Sequence, residues 1–402
     1  MGYDAQAVRD RYPALMDGWA YLDGAAGTQV PRSVMEAEYR AYAAGIGNHG
    51  GFFAASRRSD EHTDAARAAI VDLVGAPAAE GVALGPSMTA LTYRFADGLS
   101  REWREGDEIV VTRLDHDGNV RPWVQAAARR GVTVRWADPV LPAVELPAEA
   151  VTSLLTGRTR LVAVTAASNV VGTRPDVRAI ADAAHAVGAL VYVDGVHATP
   201  HGPVDVGELG ADLYATSAYK WSGPHLAAVA GDPQVLERAR PDKLASSSDG
   251  VPERFEYGTS PFAQHAGLAA AVDHLAALGS PDPALPRRAR VLASLDAVAE
   301  HETGLLQRLL TGIAGMDHVE RLGAPARQAP TVWFRVRGLT PDDVARRCAA
   351  AQVNVWSGHN YAWELAGLLG IRDSGSAVRA SLSCYSVAQD VDRLLAVLAD
   401  LG

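Results

Sequence analysis

Cysteine is almost missing: Cys348 and Cys384 are the only two in 402 residues. Two thiols cannot build a disulfide framework, and neither lies in a Cys/His zinc spacing. No metal site is therefore expected, and a reducing, cytoplasmic setting is. No stretch approaches the roughly 18 uncharged apolar residues of a membrane span. The first fifteen residues carry charges where a secretory leader needs an apolar run. Basic residues are outnumbered, 37 against 47, for a net charge of −10. No Lys/Arg block occurs, which argues against a nucleic-acid partner. The GxxxxGK[ST] phosphate loop and the GxGxxG dinucleotide fingerprint are both missing. Internal repeats and low-complexity segments are absent too. The one candidate flexible loop is Ala245–Gly250.

What is present fits a soluble globular protein. Hydrophobic residues make up 48% and charged residues 21%, a common globular balance. At roughly 150 residues per domain, this length suggests two or three domains. Short β-branched runs at Gly106–Thr112, Val132–Trp136, Arg160–Thr165 and Ala189–Asp194 alternate with Ala-rich helical stretches such as Asn119–Arg130 and Asp176–Val187. That alternation predicts parallel βαβ units around a buried sheet. The pattern changes near residue 280. Helices at Ala263–Leu278 and Pro286–Gly312 are followed by strands at Thr331–Val336, Val353–Trp356 and Val378–Tyr385. A helix opened by Thr340-Pro341 and a last one at Gln389–Leu401 complete an α+β unit. The expected fold class is α/β. Residues 21–280 would form a large domain on a seven-stranded, mostly parallel sheet. Residues 1–20 and 281–402 would form the smaller one.

Several predicted strands end in polar residues: Asp115, Asn169 and Asp194. In open α/β sheets, ligands collect at the carboxyl ends of strands. Lys220 follows another strand, Asp212–Ser217. Adjacent strand ends would bring Asp194 and Lys220 into one pocket. A lysine there is costly unless it is paired or covalently used; imine formation with a carbonyl group is such a use. Leu84–Leu91 reads as a turn feeding a helix, whose first N–H groups suit a phosphate. Ser87 and Met88 are the expected cradle, with Pro86 in the entering turn.

These fragments together resemble the pyridoxal-phosphate-dependent class V aminotransferases of fold type I, in particular their cysteine desulfurase and selenocysteine lyase branch. The resemblance runs from about Tyr21 to Arg393. Tyr21–Ala26 resembles the branch's opening motif, and Leu114–Trp123 the motif whose histidine stacks on the cofactor. Ser168–Thr173 resembles its Ser-Asn-x-x-Gly-Thr loop, Asp212–Lys220 its lysine motif, and Arg379–Leu382 its carboxylate-binding motif. The resemblance implies pyridoxal 5'-phosphate as cofactor and an amino acid as substrate. Lys220 would carry the cofactor as an imine. Asp194 would hold a proton on the pyridine nitrogen, so the ring can act as an electron sink. His116 would stack on the ring. His197 and Asn169 would lie near its phenolic oxygen. Ser217, Tyr219 (where relatives carry histidine) and Thr259 would join Ser87 and Met88 at the phosphate. Thr259 would act within the chain or across a homodimer whose active sites lie at the interface. Arg379 would bind the substrate carboxylate.

One part of the pattern breaks. Desulfurases of this branch carry a sulfur-accepting cysteine on a loop of the smaller domain, and Tyr361 falls there. Trp356 stands where relatives commonly carry arginine. Cys348 and Cys384 fall in a helical run and at a strand end, where packing is the expected role. Loss of the Cα proton followed by expulsion of a β-substituent needs no such thiol. The favoured reaction is therefore C–S β-elimination from a cysteine S-conjugate, with Tyr361 or His359 as acid–base groups. The alternatives are decarboxylation with oxidative deamination to an aldehyde, epimerisation, a true desulfurase, and a catalytically idle binding protein.

Overall fold

The computed structural model describes residues 3–279 and 281–402. A two-residue strand, β1 (Ala20–Tyr21), precedes the large sheet. That sheet comprises β2 (Val82–Gly85), β3 (Glu108–Thr112), β4 (Thr133–Ala137), β5 (Thr159–Thr165), β6 (Leu190–Asp194), β7 (Leu213–Ser217) and β8 (Ala227–Gly231). Their order is β2-β8-β7-β6-β5-β3-β4. Only β8 runs against its neighbours. The expected seven-stranded, mostly parallel sheet is thus present. Its apolar runs suit burial on both faces. Val110, Val162, Val164 and Val193 pack with Ile70 and Leu275 on one face. Ile109, Val111, Leu161 and Tyr192 pack with Phe95 and Trp123 on the other.

Register explains why chemistry gathers at one edge. Thr165 pairs with Asp194, so the ends of β5 and β6 are level, and Asp194 pairs with Ala215, two residues before the end of β7. Ser217 and Gly85 both pair with Ala227, at the start of β8. The reversed strand therefore brings the turn after β2 beside the end of β7. Ser87 then caps the helix Met88–Ser100, its side chain accepting the N–H of Ala90 at 3.1 Å.

The smaller sheet is antiparallel, with β9 (Val319–Leu322), β10 (Thr331–Val336), β12 (Trp356–Gly358) and β13 (Ala377–Ser381) in the order β12-β13-β10-β9. The single strand expected at Val353–Trp356 is instead two. β11 (Val353–Asn354) pairs in parallel with β1, while Trp356 pairs with Arg379 of β13. Val353 is buried with Ala20 and Leu22, and one straight strand cannot serve both partners. The boundary expected at residue 21 falls inside β1. Residue 280 lies outside the described residues, as do residues 1 and 2.

The helix Arg287–Ala314 ties the two parts together. Val291, Leu295 and Val298 join the core of the large sheet. Leu305, Leu309 and Ile313, further along the same three-and-four spacing, join the core of the small one with Val332 and Phe334. Among the described residues, no helix is long and apolar enough to cross a membrane.

A buried hydroxyl joins the N-terminal segment to both parts. Tyr12 Oη lies 2.8 Å from Ser222 Oγ, 2.7 Å from His274 Nε2 and 3.4 Å from Cys384 Sγ. Tyr12→Phe keeps the ring and strands these partners in an apolar surround. An unmade buried hydrogen bond costs about 1–3 kcal/mol. The variant is expected to melt several degrees lower, as circular dichroism would read; an unchanged midpoint would assign the hydroxyl no share of stability.

Candidate active site

At the carboxyl edge of the large sheet, a cleft of about 470 Å³ is lined by Ser87, Met88, Thr89, His116, Thr165, Ala167, Asn169, Asp194, Val196, His197, Ser217, Tyr219 and Lys220. The structure thus brings together nine of the residues singled out in the sequence: Ser87, Met88, His116, Asn169, Asp194, His197, Ser217, Tyr219 and Lys220. Asp115, though also near a strand end, is not among them. It is buried with Thr112, and accepts a 2.7 Å hydrogen bond from Asn119 Nδ2. Burial first pushes its carboxyl up to about 8.

Lys220 ends the 3-10 turn Ala218–Lys220 after β7 and is 6% exposed. Its amine donates to the Ala25 carbonyl. Burial pulls its pKa down to about 7; the Arg379 charge lowers it further and Asp194 works the other way. Burial pushes Asp194 up to about 6, against the N–H of Val196 at 2.9 Å and the Lys220 charge. His116 is held to about 3 by burial, then by the charges of Lys220 and Arg379, so it stays a neutral ring. Its Nδ1 accepts the Gly118 N–H at 2.9 Å, which fixes the tautomer with the proton on Nε2. Burial likewise keeps His197 neutral. Its Nε2 meets Thr331 Oγ1 at 2.8 Å, and its Nδ1 has no partner.

The small sheet supplies the far wall. Side chains alternate across a strand. Val332, Phe334, Val378 and Ala380 face the small core. Thr331, Trp333, Arg379 and Ser381 face the other way, toward the large sheet. Trp333, Arg379 and Trp356 stand in register across β10, β13 and β12. Arg379 is buried, donates from Nη1 to the Asn169 carbonyl at 3.1 Å, and leaves Nε unpartnered. Burial pulls its pKa down to about 10, opposed by the nearby Asp23 carboxylate.

The segment after β12 lies over the cleft. Asn169 Nδ2 donates to the Asn360 carbonyl at 2.8 Å, and Asp117 N–H to the Tyr361 carbonyl at 2.8 Å. Asn360 and Tyr361 both adopt positive φ, +48° and +60°, a strained choice for a tyrosine. The Tyr361 ring stacks on His116 at 5.0 Å, though it does not line the cleft. His359 also stands outside, its Nδ1 accepting the Tyr361 N–H at 3.0 Å. Thr259 is elsewhere, in a neighbouring cleft with Gly85, Pro86, Arg94, His225 and Glu256. The two clefts meet where Tyr219 stacks on His225 at 5.2 Å. Cys348 and Cys384 are buried away from the cleft, their thiols pushed up by burial to about 11 and about 12.

The residues present fit pyridoxal phosphate. The N–H groups of Met88 and Thr89 open a 13-residue helix and have no acceptor among the described residues, which suits a phosphate. Asp194 offers an anion, His116 a flat neutral face, and Lys220 an amine. His197 Nδ1 and Asn169 Oδ1 are buried without partners, as groups awaiting a polar ligand are. Sequence reasoning did not single out Thr89, Thr165, Trp333 or the Ala25 carbonyl. Thr89 was legible as the next residue of the helix's first turn. The others depend on register.

The comparisons agree with this geometry. The family model described as aminotransferase class-V matches residues 20–394. An uncharacterized protein of Mycobacterium tuberculosis is 35% identical, the match covering 100% of both chains. A probable cysteine desulfurase of Pseudomonas aeruginosa is 32% identical over 95% of this chain and 93% of its own. The cysteine desulfurase CsdA of Escherichia coli superposes with a TM-score of 0.87 at 26% identity, covering 100% of this chain and 99% of its own.

An amine with a pKa near 7 is neutral above that value. Capture of pyridoxal phosphate by the apoprotein should therefore speed up between about pH 6 and 8 and level off above. Stopped-flow absorbance would read this. A rate still climbing tenfold per pH unit at pH 9 would mark an ordinary exposed lysine.

Proposed function

The chain belongs to the class V aminotransferase family, and from that membership we propose a pyridoxal-phosphate-dependent lyase that cleaves the C–S bond of a cysteine S-conjugate. The balanced reaction takes the conjugate and one water to a thiol, pyruvate and ammonia. One observation carries the choice of reaction. The cleft is lined by Lys220 and Asp194, while both thiols are buried outside it with raised pKa values. A thiol so held is a poor sulfur acceptor, because the thiolate is the nucleophile.

When bound, the cofactor supplies an electron sink for charge developing at the substrate Cα. The rest falls to the chain. Lys220 Nζ would hold the cofactor and then take the Cα proton, for which a pKa near 7 is suited. Asp194 would keep a proton on the pyridine nitrogen, His116 would present its ring face, and Ser87, Met88, Ser217 and Tyr219 would hold the phosphate. His197 and Asn169 would bond the phenolic oxygen. The Arg379 guanidinium grips the substrate carboxylate with two parallel bonds. The Tyr361 hydroxyl, with His359 beside it, hands a proton to the departing sulfur.

The test is product analysis on a panel of S-substituted cysteines. Pyruvate and free thiol are expected in equal amounts. Replacing Cys348 and Cys384 by serine or alanine should leave turnover largely intact, with cofactor absorbance reporting a folded protein. Carbon dioxide would mean decarboxylation, and an inverted amino acid epimerisation. Free alanine with protein-bound sulfane sulfur, lost in the cysteine variants, would restore the desulfurase.

The same reading includes a homodimer. Thr259 stands in its own cleft beside the phosphate turn, and in this reading it would serve the phosphate across the dimer. Tyr39, Tyr42, Phe52 and Phe53 are largely exposed, an apolar surface of the kind association covers. Sedimentation should give twice the 42.3 kDa of one chain; a monomer that binds cofactor fully would remove Thr259 from the site.

A further inference from the structure

The rim of the cleft is aromatic in a way the reaction does not require. Aromatic residues are 6% of the chain, yet Trp356, Tyr361 and Trp363 fall within eight positions. Whereas Trp123, Trp221 and Trp333 are buried in the core, Trp356 is 52% exposed, Tyr361 64% and Trp363 39%. His359 packs edge-on to Tyr361 and Trp363, at 6.1 and 5.3 Å.

Placement gives the exposure a meaning. Trp356 lies directly opposite Arg379 across the β12–β13 ladder. Directly opposed residues share one face of a sheet, with Cβ atoms about 4.5–5.5 Å apart. The indole therefore leaves the sheet on the same side as the guanidinium, but at the outer strand. Across the cleft, Tyr361 stacks on His116, which lines it. Between these walls lies Asn169, bonded to both the Arg379 guanidinium and the Asn360 carbonyl. Asn169 thus links the Trp356 side, through Arg379, to the Tyr361 side, through Asn360.

We propose that Trp356 and Tyr361 form a slot for a planar apolar substituent, so that the preferred substrates are cysteine conjugates with an aromatic group on sulfur. This rests on the lyase reading for the identity of the parent amino acid, but the slot itself does not depend on which bond breaks. Two aromatic faces attract a third ring beyond its area of burial.

Binding measured without turnover tests the slot. Lys220→Ala protein loaded with pyridoxal phosphate is titrated with S-benzyl-L-cysteine and S-methyl-L-cysteine, read by the change in cofactor absorbance. The benzyl conjugate should bind about tenfold or more tightly than the methyl one. Adding Trp356→Ala should bring the ratio close to one, and Trp356→Phe should keep most of it. A half-exposed side chain is not needed for folding, and the absorbance of bound cofactor checks this. Equal affinities in the parent protein, or a loss in Trp356→Ala that is the same for both ligands, would overturn the slot. A preserved ratio in the Lys220→Ala protein, with no pyruvate released by the protein that keeps Lys220, would support the slot and overturn the elimination alone.

Discussion

Lys220 stands at the floor of the cleft with almost no access to water, between a carboxylate that favours its charge and a guanidinium that opposes it. A buried ammonium loses several kcal/mol of hydration, and one neighbouring Asp194, itself pushed up by burial to about 6, does not restore it. The amine therefore yields its proton near neutrality. The rest of the site keeps this balance in place. Parallel register sets Asp194 beside Ala215, on the strand that leads into the lysine turn. The small sheet delivers Arg379 from the opposite wall, and the Ala25 carbonyl takes the amine's hydrogen bond. A cleft built this way has the electrostatics of a reactive amine before any ligand arrives.

Much of this was legible in the sequence because strands and helices of the large sheet obey simple rules. Runs such as Ala189–Asp194 are apolar throughout because both faces are covered. Ser87 and Asp176 appear where helix caps should, and the structure has both side chains accepting first-turn N–H groups. Polar residues at strand ends pointed to the cleft, and of these Asn169 and Asp194 line it while Asp115 does not. The resemblance to class V aminotransferases supplied their joint meaning.

What was not legible is what depends on cross-strand register. Nothing local in Val353–Trp356 says that the chain changes sheets after Asn354, since the partners, Ala20 and Arg379, are hundreds of positions apart or on another strand. The same holds for Trp333 and Trp356. Each reads as an ordinary aromatic in a β run, and only pairing with Arg379 reveals that they flank it. Tyr361 was found by its place in a motif, but its positive φ and its stack on His116 follow from two carbonyls pinned by Asn169 and Asp117.

The helix Arg287–Ala314 deserves a mechanical reading. Its first half is embedded in one core and its second half in the other, with no break between. At the crossing, Glu302 is buried against His201 at 2.8 Å, four residues beyond the cleft residue His197. A rigid rod anchored at both ends does not act as a hinge. The small sheet cannot swing away from the large one without bending a continuous helix or pulling a carboxylate out of a dry interior. The short segment after β12 lies outside both anchored halves, tied to the large sheet through the Asn360 and Tyr361 carbonyls and the stack of Tyr361 on His116.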